Sequence, residues 1–272
     1  MNWWQVIVIS IVEALSEFLP ISSTAHMILV GRLIEVGEND FVSSFTIIIQ
    51  LGAILAVLIV FGKRIWESKK MWPKIGWALG PTLILGAVAF PLVKDYLLAG
   101  VKITGWALIL GGILMIIWEK WLFQKNEKVA EVEKISNGKA ASIGAWQALA
   151  FVPGVSRSAA AIWGGMMAGL NKAAAVEFAF ILAIPTMAAA TGLDILKTFY
   201  DQFLASGGAG TGGENIFSSW NNIGFLCLGL VITFLVAWLT IKQMLKLMQA
   251  KNSFIYLGIY RIIIGIVWLC LF

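Results

Sequence analysis

The sequence is poor in the groups that a soluble protein carries on its outside. Only 13% of its 272 residues are charged, against 60% hydrophobic, and the mean hydropathy is +0.87. A soluble domain carries roughly 25% charged residues, so the deficit points to an integral membrane protein. Histidine occurs once, at His26, and cysteine twice, at Cys227 and Cys270. One imidazole and two distant thiols exclude a zinc or iron site, and both cysteines, set in apolar runs, are expected to be small core residues. The formal charge of +5 does not imply a nucleic-acid partner. The Lys and Arg residues sit in short loops between apolar runs, the pattern of membrane orientation. The start, MNWWQVIVISIVEALSEF, lacks a basic leader region and places Glu13 and Glu17 where a signal peptide is apolar, so it reads as mature protein.

Six segments are long enough to cross a bilayer: about 45–62, 75–93, 103–118, 175–197, 223–241 and 253–272. Two further apolar regions are interrupted. Residues 3–34 break at Pro20 and Ser22-Ser23-Thr24, and residues 140–170 break at Pro153-Gly154 and Ser156-Arg157-Ser158. Their limbs are too short to span, so each is expected to be a re-entrant hairpin whose irregular tip lies within protein or lines a wet cavity. Basic residues crowd three segments, 63–74, 119–139 and 242–251, whereas 35–44 and 198–222 have none. The first three are therefore cytoplasmic and the other two external. The stretch 94–102, with Lys94 and Lys102, is external by alternation.

The fold class that follows is an all-α integral membrane protein with six transmembrane helices plus two re-entrant helical hairpins, arranged as an inverted-topology repeat. It forms a single membrane domain over 1–272, with repeats about 1–118 and 140–272 joined by a cytoplasmic connector about 119–139. Residues 11–24, IVEALSEFLPISST, align without gaps to 145–158, AWQALAFVPGVSRS, with matches only at Ala, Leu and Ser. The repeat therefore rests on topology.

The polar groups in the two tips are the candidates for chemistry. Glu13 and Glu17, four residues apart, share one helix face. A buried pair of like charges needs a shared proton, a basic partner or a metal, unless it faces water at a helix end. His26 follows the Pro20 break closely enough for the tip to bring it towards Glu17, either as a proton acceptor and donor or as a hydrogen-bonded core residue. Ser22, Ser23 and Thr24 either cap the second limb or, with the backbone N–H groups there, face an anion. Arg157, flanked by Ser156 and Ser158 and preceded by Gly154, is either a salt-bridge partner of Glu13 or Glu17 or a phosphate clamp. Carboxylate and phosphate oxygens together suit a hard divalent cation, Mg²⁺ or Ca²⁺. The chemistry implied is phosphoryl transfer on a substrate held in lipid. Glu177 and Asp194 are expected to be structural, with Pro185 kinking their span, while Arg261 in the last span pairs internally or snorkels.

The stretches EALSEFLPISSTAHMILV and PGVSRSAAAIWGGMMAGL resemble the two signature regions of the undecaprenyl-diphosphate phosphatase family, also known for bacitracin resistance. FTIIIQLGAILAV (45–57) and EFAFILAIP (177–185) are similar to its members too. The resemblance implies a bacterial enzyme of the cytoplasmic membrane that removes the terminal phosphate of undecaprenyl diphosphate, a polyprenyl diphosphate lipid, and so recycles the cell-wall carrier. It implies dependence on a divalent metal, a site open to the periplasm and, in some members, a homodimer. The family's acidic pair falls on Glu13 and Glu17, its serine and histidine on Ser23 and His26, and its arginine on Arg157. Ala161 stands where its second signature usually has threonine, and Thr46 where an acidic residue is common. On this basis Glu13, Glu17, Ser23, His26 and Arg157 are the expected catalytic set, with either Ser23 or His26 as nucleophile. Ser22, Thr24, Gly154, Ser156 and Ser158 are expected to bind substrate with Arg157, and Glu13 and Glu17 to hold the metal. Topology alone also suits a secondary transporter or a flippase for polyprenyl phosphate.

Overall fold

The structure, a computed structural model, describes residues 1–37, 39–92, 101–122, 129–200 and 219–272. Expectations for Glu38, Lys94, connector residues 123–128 and the glycine-rich stretch 201–218 fall outside the described residues. Within them the architecture is all-helical, with one isolated parallel bridge between Val129 and Leu170. The helices are α1 (Trp3–Ser16), α2 (Ser23–Leu33), α3 (Asp40–Ile48), α4 (Gln50–Glu67), α5 (Met71–Leu92) and α6 (Val101–Ile117). They continue with α7 (Asn137–Gln147), α8 (Arg157–Met167), α9 (Lys172–Phe199), α10 (Trp220–Gln249) and α11 (Ser253–Leu271).

Five stretches are long and apolar enough to cross a membrane: Asp40–Glu67, Lys102–Lys120, Lys172–Phe199, Trp220–Gln249 and Ser253–Leu271. The first is α3 and α4 together, interrupted at Ile49, a break the apolar run did not signal. The expected span 75–93 is helical as α5, but is not among these five. α9 runs through Pro185, where the Thr186 hydroxyl donates to the carbonyls of Leu182 at 2.9 Å and Ala183 at 3.1 Å, supplying a donor beside the missing N–H. Both cysteines correct the expectation of burial: Cys227 and Cys270 are exposed. A thiol on an apolar outer face is as compatible with lipid as one in the core.

Each interrupted region forms two short helices folded against each other, α1 on α2 and α7 on α8. An Asn2–Gln5 capping box starts α1, and Gln5 Nε2 donates to the Ile34 carbonyl at 2.9 Å, closing the open end of the first hairpin. Pro20 supplies no N–H and forces the chain out of helix. The second hairpin passes through a 3₁₀ turn, Ala148–Phe151, before Pro153 and Gly154. Its far end meets the connector, where Val129 N–H donates to Gly169 and Asn171 N–H to Val129, both at 2.9 Å.

The hairpins dock in matching ways. α1 packs on α10, where the Thr233 hydroxyl donates to the Ser10 carbonyl at 3.4 Å. α7 packs on α5, where the Thr82 hydroxyl donates to the Gly144 carbonyl at 3.0 Å. α6 and α11 pack along their lengths, and Gly112 and Gly258 allow close backbone approach: a Cβ on either would lie within 2.6 Å of the other's carbonyl oxygen. The basic segments gather at one end. Arg64 pairs with Glu133 at 2.9 Å and Glu177 at 3.0 Å, and Lys74 donates to Asn137 at 2.7 Å. Lys172 joins Glu119 at 3.1 Å, Ser253 at 2.7 Å and the Ala250 carbonyl at 3.1 Å. Glu177 is thus structural, as expected.

Two outcomes follow. A Cβ at Gly144 would lie 1.8 Å from the Ala78 carbonyl oxygen, so Gly144→Ala should lower thermal stability by about 1–3 kcal/mol despite alanine's higher helix propensity. Gly138→Ala, which meets nothing within 4 Å, should be neutral or stabilising in the same melting experiment. The second concerns Glu133. Burial would raise its pKa, but hydrogen bonds from Ser68, its own backbone and Arg64 outweigh this and hold it below the usual carboxylate range. A depressed folded pKa stabilises the docked connector above the ordinary value, and that stabilisation is lost as pH falls through the folded value. Proteolysis between residues 129 and 136 should therefore accelerate as pH drops from about 5 to about 3.

Candidate active site

Both tips turn on a serine. Ser22 and Ser156 have φ of 73° and 76°, a left-handed conformation that side chains other than glycine's rarely adopt. Each lies immediately before a helix, at the N-termini of α2 (Ser23) and α8 (Arg157). Backbone N–H groups without an intrahelical partner at each start, that of Ala159 excepted, favour an anion there.

Glu17, in the turn that ends α1, joins the two tips. One carboxylate oxygen accepts from Arg157 Nη2 at 2.7 Å, and the other accepts a short hydrogen bond from the Ser23 hydroxyl. All three side chains are largely shielded from water. Arg157 Nη1 is buried with no partner among the described residues, so half of its fork is free for another acceptor. Ser158 donates to the Leu19 carbonyl at 2.8 Å, a second link between tips, and lies 3.0 Å from Ser156, which caps Ala159 N–H at 3.3 Å. These serines are engaged in holding the tips together. Ser22 is buried and gives no side-chain cap to α2. Thr24 is exposed and takes part in none of the cluster's hydrogen bonds.

Glu13 is fully buried one turn below Glu17, and neither of its oxygens has a hydrogen-bond partner among the described residues. An unsatisfied buried carboxylate costs several kcal/mol or more, so the position calls for a proton or a cation. Among the described residues no three His, Cys, Asp or Glu side chains converge. Glu17, expected to share a metal, has both oxygens engaged. The donor chemistry fits a hard cation that takes one or two carboxylates and completes its shell from phosphate and water.

His26 does not reach Glu17 by any hydrogen bond in the structure. Its Nδ1 lies 2.8 Å from the Ser22 carbonyl and its Nε2 lies 2.8 Å from the hydroxyl of Tyr260 on α11. Tyr260 gave no sequence signal, since a tyrosine in an apolar span usually reads as an interface anchor.

Arg261 does not snorkel, and among the described residues it meets no carboxylate. It is fully buried, and its guanidinium reaches the carbonyls of Pro20 at 2.9 Å, Gly154 at 2.8 Å and Val155 at 3.0 Å, which come from both tips. It also reaches Ala107 at 3.2 Å and Leu108 at 3.4 Å on α6. Gly154, with φ of 93°, packs where a Cβ would stand 2.6 Å from the Thr104 carbonyl oxygen, so its role is close approach and a carbonyl for Arg261. Removing the guanidinium orphans these carbonyls. Arg261→Leu should cost more than about 3 kcal/mol, read as a lower melting temperature in detergent, with partial recovery in Arg261→Lys. A leucine variant that melts with the parent would contradict the staple.

Comparison with known proteins bears on this site. The pattern of the family described as bacitracin resistance protein BacA matches residues 6–267. The chain is 40% identical over 272 residues to the undecaprenyl-diphosphatase of Aquifex aeolicus (strain VF5), covering 100% of this chain and 99% of that protein. It is 41% identical over 270 residues to the undecaprenyl-diphosphatase of Wolinella succinogenes, covering 99% and 98%. The undecaprenyl-diphosphatase of Methanococcus aeolicus is 37% identical over 268 residues, with 98% of each chain covered.

Proposed function

We propose, because this chain belongs to the bacitracin resistance protein BacA family, that it is a membrane phosphatase converting undecaprenyl diphosphate to undecaprenyl phosphate and inorganic phosphate. That activity returns the cell-wall lipid carrier to use and confers resistance to bacitracin. The observation that carries the chemistry is the bridge at Glu17, with the Ser23 hydroxyl on one oxygen and Arg157, from the other tip, on the second.

In the proposed mechanism the diphosphate enters between the tips, its oxygens taken by the free Nη1 of Arg157 and by N–H groups at the starts of α2 and α8. Ser23 Oγ attacks the terminal phosphorus while its proton passes to Glu17. The O–P bond forms as the bond to the bridging oxygen breaks, and undecaprenyl phosphate leaves. Water then attacks the phosphoserine, and Glu17 returns its proton to the departing Ser23 oxygen. Arg157 holds Glu17 so that its second oxygen faces Ser23. Glu13, with Glu17 beside it, would hold a divalent cation, Mg²⁺ or Ca²⁺, which when bound neutralises charge on the diphosphate. Ser23 is favoured over His26 as nucleophile because both imidazole nitrogens are engaged elsewhere.

The setting of this site is a single membrane domain of six spans, α5 included, with two re-entrant hairpins in an inverted repeat. Three correspondences support it. Ser22 and Ser156 align and share a left-handed φ. Glu13 aligns with Gln147, and both are buried. Ser10 aligns with Gly144, and each carbonyl accepts a threonine hydroxyl from the helix behind it. The clustering of basic segments at one end supports a cytoplasmic assignment for that end and a site open to the periplasm of a bacterial cytoplasmic membrane. A transporter is not favoured, because substrate binding alone gives no use for a serine hydroxyl on a carboxylate.

Purified protein in detergent, given undecaprenyl diphosphate, should release inorganic phosphate, and a chelator should suppress the release. Binding of the lipid without release would overturn the phosphatase reading, and release indifferent to chelator would remove the cation. Glu17→Gln should cut turnover by at least about 10²-fold while the protein stays monodisperse. Glu13→Gln should do so as well, read as phosphate release by protein that stays monodisperse.

A further inference from the structure

Beyond the groups that the proposed mechanism uses, the site holds a 2.8 Å contact between His26 Nε2 and the Tyr260 hydroxyl. We infer that Tyr260 is a positioning residue for the reaction, acting through His26 to fix the Ser22 carbonyl and with it the Ser23 hydroxyl. The inference rests on the phosphatase reading.

The chain of contacts has a direction. A carbonyl only accepts, so the Nδ1 that lies 2.8 Å from Ser22 O carries the proton. The Nε2 of the neutral ring is then an acceptor, and the Tyr260 hydroxyl 2.8 Å away donates to it. The two rings lie with planes 14° apart. Tyr260 thereby selects one tautomer of His26, the one that can donate to Ser22. The Ser22 carbonyl also accepts the His26 backbone N–H at 3.2 Å, so it is held twice.

This restraint acts at a place that needs it. Ser22 has a φ of 73° and no side-chain cap, and the next residue is Ser23. Without a fixed carbonyl the peptide joining them is free to relax towards an unstrained conformation, moving Ser23 relative to Glu17. The next residue on α11, Arg261, grips the Pro20 carbonyl on the other side of the same tip. Two consecutive residues of α11 thus hold the tip on either side of Ile21. This arrangement gives His26 a duty other than attack on phosphorus or proton transfer from Ser23: its lone pair is turned to α11.

His26 is the only histidine in the chain, so selective ¹⁵N-histidine labelling of detergent-solubilised protein gives a single imidazole signal. The parent should show a protonated Nδ1 and a hydrogen-bonded, unprotonated Nε2. Tyr260→Phe should move the Nε2 resonance and let the tautomers average, with kcat reduced about tenfold and KM within about twofold. In a His26→Asn background, whose amide keeps a donor for Ser22 but has nothing for Tyr260, the Phe substitution should change kcat no further. An imidazole spectrum untouched by Tyr260→Phe, or an equal loss of kcat in both backgrounds, would overturn the inference; if His26→Asn is inactive, the spectrum alone decides. Phosphate release by the parent in the same preparation tests the phosphatase reading separately.

Discussion

A guanidinium that binds backbone carbonyls holds the centre of this protein together. The Arg261 side chain, without exposure to solvent, spends its donors on backbone carbonyls from both hairpin tips and from α6. Tip backbones that leave helical geometry have buried carbonyls without intrahelical partners, and these must find donors inside the protein. A permanently charged planar donor satisfies several at once, and it fixes the distance between two segments far apart in sequence. Arg157 reaches Glu17 because that spacing is already set. The bridge through Glu17 is therefore the visible half of a joint whose other half lies behind it.

The chemistry is placed by short elements. Neither hairpin limb is long enough to be a span, and their ends bring Ser23 and Arg157 to Glu17. The long helices act as walls. Where they meet the hairpins, small residues and threonine hydroxyls permit close approach, as at Gly144 against α5 and Thr233 against α1.

Much of this was legible in the sequence for one reason: ionisable and hydroxyl-rich groups inside apolar runs are too costly to be incidental. That logic found Glu13, Glu17, Arg157 and the run Ser22-Ser23-Thr24, from which the family resemblance singled out Ser23, and the structure brings Glu17, Ser23 and Arg157 into direct contact. It also found the two breaks, since proline and glycine interrupt helices for local reasons. It failed where meaning depends on the partner. Arg261 and Tyr260 sit in an ordinary apolar span, and only the fold shows that one meets carbonyls and the other an imidazole. The same gap hid the partners of His26, whose imidazole meets the Ser22 carbonyl and Tyr260. The break at Ile49 has no proline or glycine beside it and left no trace.

The left-handed serines at the tips carry a final implication. A side chain in that conformation costs roughly 1–2 kcal/mol that glycine would avoid, so at Ser22 and Ser156 the sequence forgoes the cheaper residue. A glycine there would ease folding and widen the range of shapes the turn can sample, blurring the aim of the helix that follows. At these two positions robustness of the fold and sharpness of the chemistry pull in opposite directions, and the chain sides with chemistry.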